Sequence, residues 1–372
     1  MDRRTAIATL GTAAGIALAG ASLRSISTRL GAAEPIRIKF SHVVAEETPK
    51  GKAANYFRDL VAERTHGRVI VEVYPNSELY RDREELEAVQ LGSIQMIAPS
   101  LAKIGPLGIH EFELFDLPFL FADSASVHRV THGELGRQLL ARLNGTGLLG
   151  LAFWDNGFKQ MSANRPLLEV ADFKGLHMRI QASEVLDAQM RALGAVPDPM
   201  ALSDVYAALQ SGVTDGAENP ASNFYTQRMY EVQRYLTLSN HGYLGYVVIV
   251  NELFWRGLPS ELLTILADAV ADAARYANEI ARAENDAALA KIRASGATHV
   301  LELSAAQARA WRAAVSSVRA DFQERLGGHW LEGVEELVSP AANADLKSLA
   351  RQARVVVDHD SQLSPSAAMP HG

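Results

Sequence analysis

Between Ser260 and Ser295 the sequence contains no glycine and no proline, and alanine, glutamate, arginine and leucine dominate it. Leu262, Ile265, Leu266, Ala269, Ala273, Tyr276, Ala277 and Ile280 keep one apolar stripe at helical spacing. The segment predicts a single helix of about 36 residues and about 54 Å, against a usual length of about 11–12 residues. The stripe is rich in alanine and lacks the regular flanking charges of a coiled coil. It reads as a spine lying across two domains.

The rest of the chain alternates strands and helices. "IRIKFSHV" reads as a strand, and the helix after it opens on Thr48 as N-cap with Pro49 at its first position and Gly67 past its end. "RVIVEVYP" is a second strand, "DREELEAVQLGS" a helix and "IQMIAPS" a buried strand, which together imply a mainly parallel α/β sheet. Helices are expected near 124–144 and a strand at "LLGLAFW". A second α/β pattern is expected from about Gly157, with the strand "HMRIQ", a helix from Ser183 to about Leu193, another over "LSDVYAALQSG", and "TDGAENP" leading into a helix. "LTLSNHGYLGYVVIV" is long enough to pass from one sheet to the other, so each domain would be built from discontinuous pieces. After the long helix, "THVLEL" reads as a strand, and Ser304 with Gln307 as the capping box of a further helix.

The ends bound where such a chain works. Arg3 and Arg4 precede an Ala/Gly-rich apolar run from about Thr5 to Ala21 and a polar stretch ending in "LGAAEP", the order of a cleaved export signal. The run is too short and weakly apolar for a membrane span. "DRRTAIA" leaves the Sec and twin-arginine routes both open, and cleavage fits after Ala21 or after Ala33. The whole chain of 372 residues carries −7; without residues 1–33, which carry four arginines and one aspartate, the remainder carries −10. So acidic a body is a poor match for nucleic acid. There is no cysteine, which excludes disulfides, thiolate metal sites and cysteine nucleophiles. The tail "VDHDSQLSPSAAMPHG" has no periodicity.

Chemistry-bearing motifs are few. "GTGLLG", Gly145 to Gly150, matches a dinucleotide pattern but follows a helix and enters a strand, the reverse of a phosphate cradle. The eleven histidines have no ligand spacing, so neither a metal nor a cofactor is expected. What recurs is cations and amides at element ends: Lys50 in a first helical turn, Lys103 in "SLAKIG", Lys159 in "WDNGFKQMSAN", Asn219 opening the helix at "DGAENP", and His241 in "SNHGY". Each has a plain reading as a solvated charge, a helix cap or a buried hydrogen-bonded histidine. Together, at comparable places in both halves, they favour an anion-binding cleft. Arg179 is the sharpest case. Leu176, Met178 and Ile180 mark one strand face and leave His177, Arg179 and Gln181 on the other. The plain reading is a solvated strand face or an internal ion pair; if the arginine is buried it needs an anion, and the sharper reading is that the anion is a ligand.

"FSHVVAEETPKGKAA", "RVIVEVYPNSELYRDREELEAVQLGSIQMIAPSLAKIGPLG", "WDNGFKQMSANRPL", "KGLHMRIQAS", "LSDVYAALQSGVTDGAENP" and "SNHGYLGY" resemble the solute-binding subunits of tripartite ATP-independent periplasmic (TRAP) transporters. The likeness is greatest to their C4-dicarboxylate branch and covers about residues 36–330. It implies an α/β fold of two domains with hinge strands and a long domain-spanning helix, and an arginine that clamps a substrate carboxylate, here Arg179 in "MRIQ". Asn219 in "ENP" would be its amide companion. The sequence departs from the family at Ala217, where glutamine is common, and at Lys159, where many relatives that bind other acids have arginine.

The resulting expectation is an extracytoplasmic, periplasmic binding protein and not an enzyme, a monomer that delivers succinate, fumarate or malate to TRAP membrane subunits. Arg179 would hold one carboxylate in a bidentate fork with Asn219 beside it. Lys103 and Lys50 would neutralise the second carboxylate, His241 would add a donor, and Lys159 would serve the cleft or only its field. Domain I is expected over 34–157 with 242–283, domain II over 158–241 with 284–340, a signal over 1–33, and a C-terminal extension over 341–372. The rival readings are another organic acid (2-oxo or aromatic) on the same fold, and a periplasmic lyase or hydrolase.

Overall fold

The computed structural model describes residues 34–339, so the expected leader and C-terminal extension lie outside the described residues. From Pro35 onward the described chain forms one compact unit. In chain order the elements are β1 (Ile36–Ser41), α1 (Pro49–Arg64), β2 (Val69–Tyr74), α2 (Asp82–Gln90) and β3 (Met96–Ile97). There follow α3 (Ser124–Thr131), α4 (Glu134–Ala141), β4 (Leu148–Ala163), β5 (His177–Ile180), α5 (Glu184–Ala192), β6 (Val196–Pro199), α6 (Leu202–Ser211), β7 (Gly216–Asn219) and α7 (Ala221–Thr226). The chain continues through β8 (Tyr235–Asn251), α8 (Glu252–Arg256), α9 (Ser260–Ser295), β9 (His299–Glu302), α10 (Ala305–Ala314), α11 (Ser316–Leu326) and α12 (Gly328–Val338).

The strands make one mixed sheet in the order β2-β1-β3-β8-β4-β7-β5-β6, with β9 on β8. β2, β1 and β3 run parallel at one side, and β6, β5 and β7 run parallel at the other. Two long antiparallel strands, β4 and β8, join these half-sheets and are shared by both. We call the β1–β3 side the first lobe and the β5–β7 side the second. The α/β class and the long crossing strand β8 are as the sequence implies.

The spine is a single 36-residue helix, α9. Its apolar stripe is rotated slightly from the one expected. Ile265, Tyr276 and Ile280 are half-buried at the rim, whereas Ala281, Ala288 and Ile292 carry the buried line onward. Ala269, Ala273 and Ala277 pack in one cluster with Phe40, Phe57 and Trp154 of the first lobe. Ala288 and Ile292 pack with Phe224 and Met229 of the second. Alanine lets the helix backbone come close to both cores, which is why the stripe is small.

Three local expectations need correction. "IQMIAPS" forms only the two-residue β3, since Pro99 has no N–H to donate and the chain turns at once into the 3-10 segment Leu101–Lys103. β4 does not end at Trp154, nor does a new α/β pattern begin at Gly157. The strand runs on to Ala163 because bulges between Gly150 and Ala152, Asp155 and Gly157, and Lys159 and Met161 let it bend along β8. The apolar alternation breaks at each bulge, and that hides the strand from a period-two reading. Asn219 ends β7 instead of opening a helix; Pro220 is the N-cap residue of α7.

Candidate functional site

Between the lobes lies a cleft of about 700 Å³ whose walls include Asp82, Lys103, Arg179, Gln181 and Met200. Each wall residue is placed by an element end. α2 begins at Asp82 because the Glu84 carboxylate accepts from the Arg81 N–H at 3.2 Å, and acidic residues in a first turn suit the helix dipole. Asp82 pairs with Lys103 and accepts from the Leu202 N–H of the second lobe at 2.7 Å. Burial pushes its carboxyl up, but Lys103, the Leu202 N–H and Arg179 outweigh that and hold it at about 2. Gln181 donates to the Ser100 hydroxyl at 2.7 Å, a second contact between the lobes.

Arg179 is 2% exposed on β5. Its Nε and Nη2 both donate to the Met200 carbonyl, at 3.0 and 2.7 Å. No carboxylate lies within ion-pair distance of it among the described residues, although the fields of Asp82 and Glu218 oppose the effect of burial. One edge of the guanidinium is thus committed to a backbone oxygen, and the Nη1–Nη2 end remains for an anion. Lys103 is the other cation on the cleft wall among the expected residues.

The remaining candidates stand behind the wall, not on it. Lys50 is fully buried, donates to the Ala98 carbonyl at 2.9 Å and sits 4.0 Å from the Tyr246 ring centroid. Burial lowers its pKa to about 7, opposed by Glu85. Glu85 is also fully buried; burial raises its carboxyl to about 7 against the pull of Lys103 and Lys50. Lys103 lies 3.7 Å from it, within ion-pair reach but too far for a hydrogen bond.

In the second lobe Lys159 donates to Glu218 Oε1 at 2.7 Å, and His241 Nε2 meets Glu218 Oε2 at 2.9 Å. Ser239 Oγ lies 2.8 Å from His241 Nδ1. Asp116 lies 4.0 Å from Lys159 and accepts from the Ser183 hydroxyl at 2.8 Å. Burial raises Glu218, but Lys159 and His241 outweigh it and hold the carboxyl at about 2. Burial also lowers His241, against Glu218, and raises Asp116 to about 6. Asn219 approaches the Met229 sulfur at 3.7 Å and accepts from Asn223 at 3.5 Å. It is not among the residues lining the cleft.

The sequence reading found the cations and missed the carboxylates that face them. Asp82 and Glu85 were legible only as first-turn acids of a helix, and Glu218 only as the neighbour of Asn219. The signal for Glu218 was an ionisable residue inside "GAEN", a strand buried at all four positions. No group of three or more His, Cys, Asp or Glu suited to a metal occurs among the described residues, and none of their helices is long and apolar enough to cross a membrane.

Residues 40–326 match the family "Bacterial extracellular solute-binding protein, family 7". The C4-dicarboxylate-binding periplasmic protein DctP of Rhodobacter capsulatus is 56% identical over 320 residues, 86% of this chain and 96% of that one. A TRAP periplasmic solute-binding protein of Shewanella oneidensis, solved with bound succinate, superposes with a TM-score of 0.80 at 39% identity, covering 82% of this chain and 100% of that one. One from Pseudomonas aeruginosa, solved with bound L-malate, gives 0.75 at 41% identity, covering 77% and 100%.

Proposed function

The chain belongs to the family 7 bacterial extracellular solute-binding proteins, and from that premise we propose that it captures C4-dicarboxylates such as succinate, fumarate or malate in the periplasm and passes them, chemically unchanged, to the membrane subunits of a TRAP transporter. Residues 1–33 are then the export signal. The lobes meet near 157 and 242, inside the two shared strands. One observation carries the reading: Arg179 is a buried cation on the cleft wall whose only hydrogen-bond acceptor among the described residues is a backbone carbonyl.

A carboxylate at its free end would complete the guanidinium's hydrogen bonds in a planar fork that lysine cannot reproduce. Lys103, paired with Asp82 on the same cleft, is the cation that a second carboxylate would meet. Lys50, Lys159, His241 and Asn219 act from behind, through the field and through the residues they hold in place.

The test compares succinate with butyrate, which has the same carbon count and one carboxylate. Calorimetry should show succinate binding at least a hundredfold more tightly, and succinate should be recovered unchanged after incubation. Equal affinities would refute a dicarboxylate site and favour a monocarboxylic acid. Conversion of the acid would establish the lyase or hydrolase instead. A thermal-shift screen that includes 2-oxo and aromatic acids identifies the ligand directly, since a ligand at 100 times its Kd adds about 2.7 kcal/mol of stability.

A further inference from the structure

The second bulge of β4 makes Asn156 the extra residue between Asp155, which pairs with Gly245, and Gly157, which pairs with Leu244. A bulge deprives the strand of ladder hydrogen bonds, and here the spine helix supplies partners. Asn278 Oδ1 accepts from the Asp155 N–H at 2.8 Å, and Asn285 Nδ2 donates to the Asn156 carbonyl at 2.7 Å. These two asparagines, poor helix formers in an alanine-rich helix, lie seven residues apart and therefore on one face. Gly157 makes the approach possible, because a Cβ there would come within 2.8 Å of Asn285 Nδ2.

The Asn156 side chain is fully buried and its amide is saturated. Nδ2 donates to Tyr246 Oη at 2.7 Å and to Asn223 Oδ1 at 2.9 Å, and Oδ1 accepts from Ser222 Oγ at 2.6 Å. Tyr246 is the ring beneath Lys50 of the first lobe. Asn223 in turn donates to Asn219 of the second lobe. One amide on the bulge thus joins groups that stand behind both walls of the cleft. An open pocket of about 240 Å³, lined by Asn156, Gly157, Ala281 and Asn285 among others, borders the bulge on its spine side.

We propose that Asn156 is a positioning residue for ligand capture, which sets the Tyr246–Lys50 side and the Asn223–Asn219 side against each other as the lobes close on the shared strands. The proposal rests on the ligand-binding reading above. A bulge re-aims its side chain, and on this strand it turns an amide into the buried junction between the lobes. Cutting that junction leaves Arg179 and Lys103 in place and loosens the closed arrangement.

The test uses the full chain, whose lack of cysteine allows two labels at Glu63→Cys and Gln210→Cys, exposed positions on the first and second lobes. Asn156→Ala should bind succinate about tenfold more weakly, chiefly through faster dissociation. Its label-to-label distances should be broader than wild type with and without succinate. Asn285→Ala, which removes the grip of the helix on the Asn156 carbonyl and on the Ser222 N–H but leaves the Asn156 side chain in place, should lose about two- to threefold. Wild-type affinity and dissociation rate in Asn156→Ala overturn the proposal whatever its melting temperature. If Asn156→Ala does not fold, unchanged binding and distances in Asn285→Ala overturn it. Should wild-type protein bind no succinate, the functional reading fails, and the ligand-free distances decide the role of Asn156 alone: equal widths overturn it.

Discussion

The two lobes place similar charges behind the cleft and treat them differently. In the second lobe both Glu218 oxygens are engaged, one by Lys159 and one by His241, and the carboxyl is held at about 2. In the first lobe neither Glu85 oxygen has a hydrogen-bond partner among the described residues, and burial brings both Glu85 and Lys50 to about 7. Burial is equally complete in the two places. The close charge of Lys159 together with the hydrogen bonds to Glu218, not depth, decides which carboxylate stays ionised. The second lobe is therefore a fixed electrostatic frame beside Arg179, whereas the first holds a cluster that gains and loses charge near neutral pH.

The largest effect should come from cutting the fixed frame. Glu218→Gln leaves Lys159 and His241 without their buried partner, a loss of about 3–5 kcal/mol. Calorimetric unfolding of the ligand-free variant should show a melting temperature about 10 °C lower. Glu85→Gln, which resembles the protonated form, should instead raise it at pH 7, because the wild-type carboxyl, ionised in the unfolded chain, must there take up a proton or be buried charged. Equal losses in the two variants would erase the contrast between the lobes.

Arg179 sharpens the comparison, since it belongs to the second lobe but is not locked by a carboxylate. Arg179→Lys keeps the charge and loses the fork, so succinate affinity should fall about ten- to a hundredfold. The ligand-free melting temperature should drop much less than for Glu218→Gln. A drop as large would mean that Arg179 is part of the frame and not a ligand clamp.

The pH dependence separates the lobes more finely. The Glu85 carboxyl is raised in the folded protein, so its contribution to stability is full below the unfolded value near 4.5 and is lost as pH rises toward about 7. Lys50 is lowered, so its contribution is present above the unfolded value of 10.5 and is lost as pH falls through about 7. Wild type should lose stability relative to Glu85→Gln by about 1.4 kcal/mol for each pH unit between 4.5 and 7. Urea titrations at pH 5, 6 and 7 measure it, and parallel curves for the two proteins would place Glu85 outside the titrating cluster. Glu218 is lowered instead, and its contribution is lost only as pH falls from about 4.5 toward 2.

The smallest effect belongs to the exposed pair that spans the lobes. Arg81 and Asp204 meet at 3.2 Å with side chains 56% and 44% exposed. A pair so exposed contributes at most about 1 kcal/mol and is screened by salt. Arg81→Ala should weaken succinate binding by less than about fivefold in low salt, with the difference vanishing at high ionic strength. A larger, salt-independent loss would move Arg81 into the binding machinery.

Local signals determined much of this protein. Thr48, Pro49 and Gly67 bound α1, Ser304 and Gln307 cap α10, and the uninterrupted run from Ser260 to Ser295 is one helix. Each depends on residues within a few positions of one another, or on a periodicity that short range alone sustains. Arg179 was legible for a related reason, as a charge set inside an apolar alternation. What only the tertiary structure decided is the company that charge keeps. Asp82 and Glu85 on α2, Asp116 at the end of the 3-10 segment His110–Asp116 and Glu218 on β7 come from three separate elements, and nothing local marks which cation each one meets. The continuation of β4 through its bulges was decided in the same way, by its pairing with β8 and by Asn278 and Asn285 reaching in from the spine more than a hundred residues away. Ion pairs and bulges are settled between distant segments, where the free energy of burying a polar group depends on who else is buried beside it.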